Sequence, residues 1–154
     1  MALSLEIPGR GTLVLEHLLL DVNGTLTDRG TLIDGVAERL ARLGGRLQVR
    51  ILSADTFRTL DAVAGELGVQ AERVESGADK ARVIGELGPE RCAAIGNGAN
   101  DAAMLEAAAL GIAVVGQEGA SSAAVRVADV VCPSVLDALD LLLEPRALVA
   151  TLRH

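Results

Sequence analysis

The chain has 154 residues, half of them apolar, and carries a formal net charge of −7 with a sequence pI near 4.8. This length suits a single domain, spanning residues 1–154, that can bury a core without disulfide bonds. An acidic surface repels phosphate backbones, and the sequence has no Trp or Tyr and a single Phe on which bases could stack. We therefore expect no nucleic-acid binding.

The N-terminal segment and the cysteines favour a cytoplasmic protein. Residues 1–10 are too short for a signal peptide and are interrupted by Glu6 and Pro8. No apolar run approaches the ~20 residues of a membrane span, so no membrane contact is expected. Cys92 and Cys132 lie far apart in apolar segments and are expected to be free thiols in a reducing compartment.

Short apolar runs alternate with segments of helical periodicity along the chain. Strands are predicted at residues 3–7, 12–16, 18–20, 47–52, 69–74, 92–95, 112–115 and 130–132. Helices are predicted at residues 35–43, 56–67, 79–87, 101–110, 120–127 and 136–143, with a last helix beginning at Pro145. Asp34 and Asp55 are expected to cap the first two helices.

This alternation predicts an α/β fold of the Rossmann-like type, with a parallel sheet, helices on both faces and a short N-terminal β-hairpin. The turn signal Pro-Gly-Arg-Gly joins the two strands of the hairpin. In parallel sheets of this type, ligands bind beyond the carboxyl ends of the strands. The side chains that follow strands are therefore the candidate functional residues.

The rarest polar residues fall at those strand ends. The chain has thirteen Arg but one Lys, Lys80, and its three Asn are Asn23, Asn97 and Asn100. Asn23 follows the first buried strand, and Asn97 and Asn100 follow the strand predicted at residues 92–95. Lys80 begins a helix that should lie at the same edge of the sheet. A composition that avoids Lys and Asn but keeps these four residues points to a shared chemical role.

The residue types suit phosphoryl transfer. A carboxylate such as Asp21 can attack a phosphoryl group and form an aspartyl-phosphate. Because one anion then approaches another, cations are needed, and Lys80 supplies a compact positive charge. A magnesium ion held by oxygen ligands would supply the rest, with Asp21 and Asp101 as its candidate carboxylates.

The motifs Asp-Val-Asn-Gly-Thr-Leu-Thr from Asp21, then Ser53, then Lys80, then Gly-Asn-Gly-Ala-Asn-Asp ending at Asp101, resemble the four ordered motifs of the haloacid dehalogenase (HAD) superfamily. The whole sequence is similar to a group of small soluble proteins likened to the phosphorylation domain of P-type ATPases. The resemblance implies a HAD-like fold and a magnesium-dependent phosphatase or phosphotransferase that works through an aspartyl-phosphate on Asp21.

The resemblance also implies a role for each matched position. Asp21 would be the nucleophile, assisted by Lys80. The implied metal ligands are Asp21, the backbone carbonyl of Asn23, Asn97 and Asp101. The implied phosphate-binding residues are Asn23, Gly24, Ser53, Ala54 and Lys80.

The gaps between the motifs are too short for a cap domain. One helix and one strand fill the interval from Asp28 to Ser53, and one helix and one strand fill the interval from Ser53 to Lys80. In capless relatives the open site suits a large substrate, or a neighbouring subunit acts as the lid. The implied partners are therefore a phosphorylated small molecule or macromolecule, and a homo-oligomer is compatible with the open site.

Two positions depart from the phosphatase pattern. Asn23 replaces the Asp that protonates the leaving group and then activates water, a role worth roughly 10²- to 10⁴-fold in rate. Acyl phosphates, anhydrides and activated aryl phosphates need no such acid, whereas ordinary phosphomonoesters should react slowly. Asn97 replaces a direct carboxylate ligand, which should lower magnesium affinity. The alternative is a catalytically degenerate domain that binds a phosphorylated ligand or partner without turnover.

Three further alternatives concern single features. Receiver domains also combine an acceptor Asp, a Ser or Thr and a Lys, but their chain order differs because the acceptor follows a middle strand. Deamidation at Asn23-Gly24 or Asn97-Gly98 would restore Asp, although tight native turns usually prevent it. Asp101 has the alternative role of a helix cap. Asn100, Thr25 and Thr27 are expected to brace loops.

Overall fold

The computed structural model describes residues 1–55 and 57–154; Thr56, the expected first residue of the second helix, lies outside the described residues. The strands are β1 (Leu3–Ile7), β2 (Gly11–Leu15), β3 (His17–Asp21), β4 (Thr27–Asp28), β5 (Thr31–Leu32), β6 (Gln48–Ser53), β7 (Gln70–Arg73), β8 (Cys92–Gly96), β9 (Leu110–Val114) and β10 (Val130–Cys132). The helices are α1 (Val36–Leu43), α2 (Phe57–Leu67), α3 (Gly77–Leu87), α4 (Ala102–Ala107), α5 (Ser122–Val127), α6 (Val135–Leu143) and α7 (Arg146–Leu152). Single 3₁₀ turns at Pro89–Arg91 and Ala99–Asp101 precede β8 and α4.

Within the described ranges, six parallel strands form the central sheet in the order β10-β9-β8-β3-β6-β7. The chain starts this sheet at β3, builds outward through β6 and β7, and then crosses to the other side for β8, β9 and β10. The order therefore reverses beside β3, the point at which open α/β sheets bind ligands. The predicted Rossmann-like parallel sheet is confirmed.

Helices cover both faces of the sheet, and the alternation of side chains along each strand divides the core. On β3, Leu18 and Leu20 face one layer while Leu19 faces the other. The first layer contains α1, α2, α6 and α7, and the second contains α3, α4 and α5. Aliphatic side chains pack both layers; those of the first layer include Leu40, Leu139 and Leu148.

The predicted N-terminal hairpin is present, with β1 and β2 paired antiparallel from Leu3↔Leu15 to Ile7↔Gly11. Its buried side chains join the first layer. A second, smaller hairpin was not predicted: β4 and β5 are strands of two residues joined through Arg29 and Gly30, both at positive φ. It projects directly after the loop that follows Asp21.

The prediction of a helix at residues 101–110 was wrong in its extent. Residues 99–101 form a 3₁₀ turn, α4 ends at Ala107, and Leu110 opens β9. The run of Ala has high helix propensity, but the parallel pairing of Leu110 with Ala93 claims the end of the segment for the sheet. The remaining strand and helix boundaries lie within two residues of the predicted ones.

The N-terminal ends of α1 and α3 differ from the prediction. Asp34 does not cap α1, because Gly35 occupies the N-cap at φ 94° and no side chain caps that helix. The helix α3 begins two residues earlier than predicted, because the Ser76 hydroxyl accepts from the Asp79 N–H.

Cys92 and Cys132 are buried free thiols, and burial raises the pKa of each to about 11. Over the described ranges, no helix combines the length and apolarity needed to cross a bilayer.

Candidate active site

The carboxyl edge of the sheet gathers the candidate residues. Asp21 is the last residue of β3, and Ser53 is the last residue of the neighbouring β6. Asn97 directly follows β8, the neighbour on the other side. Lys80 lies in the first turns of α3, and Asp101 ends the 3₁₀ turn before α4. The topology thus brings together residues that lie far apart in the sequence.

Lys80 is the centre of the site. It is 1% exposed, and its Nζ donates to Asp21 Oδ1 and to Asp101 Oδ1, both at 2.7 Å. Asp21 is 6% exposed and Asp101 is fully buried. A flexible side chain with a single point charge suits this position, because one ammonium group must reach two carboxylates in a confined space.

The three charges leave the site with a net charge of −1. Burial and the neighbouring Asp101 raise the pKa of Asp21 to about 6, although Lys80 and the Thr25 hydroxyl oppose the shift. Burial alone would lower the pKa of Lys80, but the two carboxylates outweigh it and the pKa is raised. Lys80 therefore stays charged at neutral pH, and one cation is insufficient for two anions and an incoming phosphate.

Asp101 has both carboxylate oxygens engaged. Oδ1 accepts from Lys80, and Oδ2 accepts from the backbone N–H groups of Asn97 at 3.1 Å and Gly98 at 2.9 Å. Gly96 permits this arrangement, because a Cβ there would lie 2.6 Å from Asp101 Cγ. The side chain therefore fixes the loop and holds Lys80, and Oδ1, which accepts a single hydrogen bond, keeps a lone pair that could reach a metal.

Thr25 links the nucleophile segment to the loop after β8. Its hydroxyl lies 3.1 Å from Asp21 Oδ2 and 3.3 Å from Asn97 Oδ1, so its one proton can serve either acceptor. The Asn97 side chain also donates to the Gly119 carbonyl at 3.1 Å. The Asn97 side chain packs against Gly24, and a Cβ added to Gly24 would lie 2.5 Å from Asn97 Nδ2. The expected bracing role of Thr25 thus extends to the candidate nucleophile itself.

Asn23 has a partner that the sequence did not indicate. Its Nδ2 donates to both carboxylate oxygens of Asp55 at 2.9 Å, and the side chain is exposed at the rim of the site. Ser53 is 2% exposed, and its hydroxyl accepts from the Asp55 N–H at 3.1 Å. The prediction that Asp55 caps α2 stays a prediction, because Thr56, which joins the two, lies outside the described residues. The structure shows the Asp55 carboxylate against Asn23. Its position two residues after a strand end is the signal that could have identified it.

The remaining predicted residues lie around this centre. Gly24, at φ 77°, is buried next to Asn97, and Ala54 is exposed between Ser53 and Asp55. Asn100 is exposed, and its backbone carbonyl lies against Gly77 at the start of α3, where a Cβ would approach to 2.5 Å.

The oxygen atoms at the site suit a hard divalent cation that takes its other ligands from water and substrate. Asp21 Oδ2 and Asn97 Oδ1 share one hydroxyl donor, which leaves lone pairs on both oxygens, and magnesium is commonly held by one or two carboxylates plus water and substrate phosphate. In residues 1–55 and 57–154, no group of three or more His, Cys, Asp and Glu is arranged to hold a metal. These oxygen atoms, together with Asp101 Oδ1, form a donor set that fits magnesium.

The amino-acid sequence is similar to those of several known proteins. An uncharacterized protein of Methanocaldococcus jannaschii is 45% identical over 78 residues, which are 48% of this chain and 84% of that protein. The zinc/cadmium/lead-transporting P-type ATPase of Escherichia coli is 36% identical over 113 residues, which are 71% of this chain. This chain spans 15% of the ATPase's length, so the similarity concerns one part of that protein.

Solved structures share the fold. The 3-deoxy-D-manno-octulosonate 8-phosphate phosphatase of Moraxella catarrhalis, solved with magnesium and phosphate ions, superimposes with a TM-score of 0.68 at 21% identity and covers 90% of this chain and 94% of its own. A zinc-transporting PIB-type ATPase superimposes with a TM-score of 0.67 at 30% identity and covers 79% of this chain and 20% of its own. The family model of haloacid dehalogenase-like hydrolases matches residues 5–109, more than half of the sequence. With the fold and the order of the motifs in agreement, the chain belongs to the haloacid dehalogenase-like hydrolases.

Proposed function

We propose that the protein is a magnesium-dependent phosphohydrolase or phosphotransferase that acts through an aspartyl-phosphate on Asp21 and prefers phosphates with good leaving groups. The observation that carries this proposal is the Lys80 ammonium, buried and 2.7 Å from both Asp21 and Asp101. A buried carboxylate at the switch point of the sheet, with a fixed cation beside it, suits nucleophilic attack on an anionic group.

In the first step, a carboxylate oxygen of Asp21 forms a bond to phosphorus, and the bond from phosphorus to the leaving oxygen breaks. The leaving group departs with the electron pair of that bond. Lys80 offsets the charge that gathers on the phosphoryl oxygens. Ser53 and the backbone N–H groups of Asn23, Gly24 and Ala54 are proposed to orient those oxygens. Asp101 holds Lys80 in place through its own hydrogen bond.

Magnesium, held by Asp21, the Asn23 carbonyl, Asn97 and Asp101, would supply positive charge and withdraw electrons from the phosphoryl group. The need for it follows from the net charge of −1 at the site. Asp101 would keep its hydrogen bonds to Lys80 and the loop backbone and offer the remaining lone pair of Oδ1.

Asn23 limits the leaving groups. An amide cannot donate a proton to a departing alkoxide, so the leaving oxygen must be stable as an anion, as a carboxylate or nitrophenolate is. In the second step water attacks the aspartyl-phosphate, releasing inorganic phosphate and regenerating Asp21, and the proton from water passes to the phosphate or to solvent. Since the amide cannot accept that proton, we expect this step to be slow and the phosphoenzyme to accumulate.

A second candidate function is the binding of a phosphorylated ligand or partner without turnover. The observation that favours it is the Asn23 amide, whose N–H group is already bound to both oxygens of Asp55. In this alternative the site holds the phosphate but provides no acid or base for the chemistry.

The deciding experiment is a phosphorylation and turnover assay with acetyl phosphate, with and without magnesium. Wild type should form a magnesium-dependent adduct of one phosphoryl group, detectable by intact mass, that Asp21→Asn abolishes. Asp61→Asn, an exposed acid on α2, is the matched control and should behave as wild type. Phosphate binding by wild type with no adduct and no turnover at high magnesium would overturn the enzyme proposal in favour of the second candidate.

A further inference from the structure

A cavity lies beside the candidate active site. It has a volume of about 290 Å³ and lies between the β4–β5 hairpin and the loops that follow β9 and β10. Thr25, whose hydroxyl contacts Asp21 Oδ2, lines both the cavity and the candidate site. Arg29 N–H, at the tip of the hairpin, donates to Glu118 at 2.9 Å and ties the hairpin to the loop after β9. Thr25, which is 1% exposed, therefore lies between the cavity and Asp21, and the two segments that flank the cavity are joined to each other.

The walls of the cavity are mainly apolar. Its aliphatic surface is provided by Ile33, Val115, Val135 and Leu136, together with Pro133. Val115 is 43% exposed, an unusual fraction for a large apolar side chain in this protein. A cavity of this size is at the small end of the ~300–1,000 Å³ range of ligand pockets and suits a group about the size of one ring.

The charge of the cavity disfavours anions. Asp28 is the only ionised side chain in its lining as far as the described residues show, and its carboxylate is paired with Arg29 at 3.1 Å. An additional negative charge on a substrate would face this carboxylate and the acidic surface of the protein without a free cation to receive it.

We propose that this cavity is the subsite for the organic part of the substrate. The substrate is then an activated phosphate, such as an aromatic acyl phosphate, whose organic part is apolar and carries no charged substituent. This inference rests on the proposed function. Two independent features agree on it: Asn23 requires a leaving group that needs no proton, and the neighbouring cavity accepts an apolar body. The P–O bond of the acyl phosphate breaks, and the acid departs as its carboxylate without a proton.

The test compares benzoyl phosphate with acetyl phosphate, which share the acyl phosphate group and differ in apolar bulk. For wild type, kcat/KM should be about ten- to a hundredfold higher for benzoyl phosphate after subtraction of the uncatalysed rate. Val115→Asp, which places a carboxylate at the mouth of the cavity, should reduce this ratio to near one. A carboxylate on the ring, as in 4-carboxybenzoyl phosphate, should reduce kcat/KM to about the acetyl phosphate value or below it.

Val14→Asp is the matched control, because Val14 is 45% exposed on the distant N-terminal hairpin. It should leave the ratio unchanged, and circular dichroism establishes that both variants are folded. Turnover of acetyl phosphate with no preference for the benzoyl group, or equal ratios in wild type and Val115→Asp, would overturn the subsite while leaving the proposed function intact. Absence of turnover of either substrate would overturn both.

Discussion

The buried carboxylate of Asp21 couples the stability of the fold to pH. Its pKa of about 6 exceeds the ordinary value of 3.8, because burial and Asp101 disfavour the ionised form. Between pH 3.8 and about 6, Asp21 is therefore largely protonated in the native state and largely ionised in the unfolded chain. The stabilisation from this group is fully present below pH 3.8 and is lost as pH rises through about 6.

The first prediction compares wild type with Asp21→Asn in a chelator. Between pH 4 and pH 7, wild type should lose on the order of 1–3 kcal/mol of unfolding free energy relative to the variant, which cannot ionise at this position. Urea unfolding followed by far-ultraviolet circular dichroism measures the difference. Magnesium at pH 7.5 should raise the midpoint of wild type and not that of the variant. Parallel pH curves for the two proteins would contradict the pKa shift.

The second prediction concerns the pair formed by Asn23 and Asp55. Asn23→Asp alone places two carboxylates against each other where one hydrogen-bonded pair stood, which should cost about 1–2 kcal/mol. The double variant Asn23→Asp/Asp55→Asn exchanges donor and acceptor and should recover that stability. Its phosphoenzyme should hydrolyse about 10²-fold faster or more, because a carboxylate now stands two residues after the nucleophile. Release of phosphate from the isolated adduct measures the rate.

Asp55→Asn alone is the control for this exchange. It keeps an amide at position 23, so its phosphoenzyme should persist as long as that of wild type. A double variant that regains stability without faster hydrolysis would show that the amide of Asn23 does not limit the second step.

At the scale of single elements, the loop after β3 and the turn of the β4–β5 hairpin each contain a glycine at positive φ. Gly24 and Gly30 both have positive φ, at 77° and 86°, so alanine is strained at either position. The two positions differ in the room available for a side chain. A Cβ at Gly24 would lie 2.5 Å from Asn97 Nδ2, whereas a Cβ at Gly30 would meet nothing within 4 Å.

This contrast gives the third prediction. Gly30→Ala should lower the free energy of unfolding by about 1 kcal/mol, because only the backbone strain opposes it. Phosphorylation by acetyl phosphate should be unchanged. Gly24→Ala should cost at least about 1 kcal/mol more and abolish magnesium-dependent phosphorylation, because Asn97 must move away from Asp21 and Thr25. Urea midpoints and the yield of phosphorylated protein test both statements. Equal effects of the two substitutions would show that the approach of Asn97 to Gly24 has no bearing on the site.

The elements also show how far the sequence could predict the structure. The parallel sheet, the side chains at the ends of its strands and the position of Lys80 followed from periodicity and motif spacing, because a parallel sheet brings its carboxyl ends to one edge. The order of the strands within the sheet was not predicted. The β4–β5 hairpin was missed because strands of two residues leave no periodic signal. The bonds from Asn23 to Asp55 and from Thr25 to Asn97 join residues 32 and 72 positions apart, and no local pattern encodes them.

At the scale of the whole molecule, the ends of the chain meet on one face of the sheet. β1 contributes buried Leu5, α7 contributes buried Leu148, and both belong to the core layer that contains α1 and α6. The His154 N–H donates to the Pro8 carbonyl at 3.1 Å. We propose on this basis that residues 1–154 unfold as one cooperative domain, with the N-terminal hairpin as part of it.

The last prediction tests that cooperativity with two substitutions in the same hairpin. Leu5 is 2% exposed, so Leu5→Ala should remove about 2–5 kcal/mol of unfolding free energy from the whole domain. In urea this appears as a lower midpoint with an unchanged slope, because the surface exposed on unfolding stays the same. Val14→Ala, at a position 45% exposed, should shift the midpoint by little. Circular dichroism follows the transition, since the chain has no Trp or Tyr for fluorescence. An independent hairpin would instead give a separate early transition in Leu5→Ala and leave the main midpoint where wild type has it.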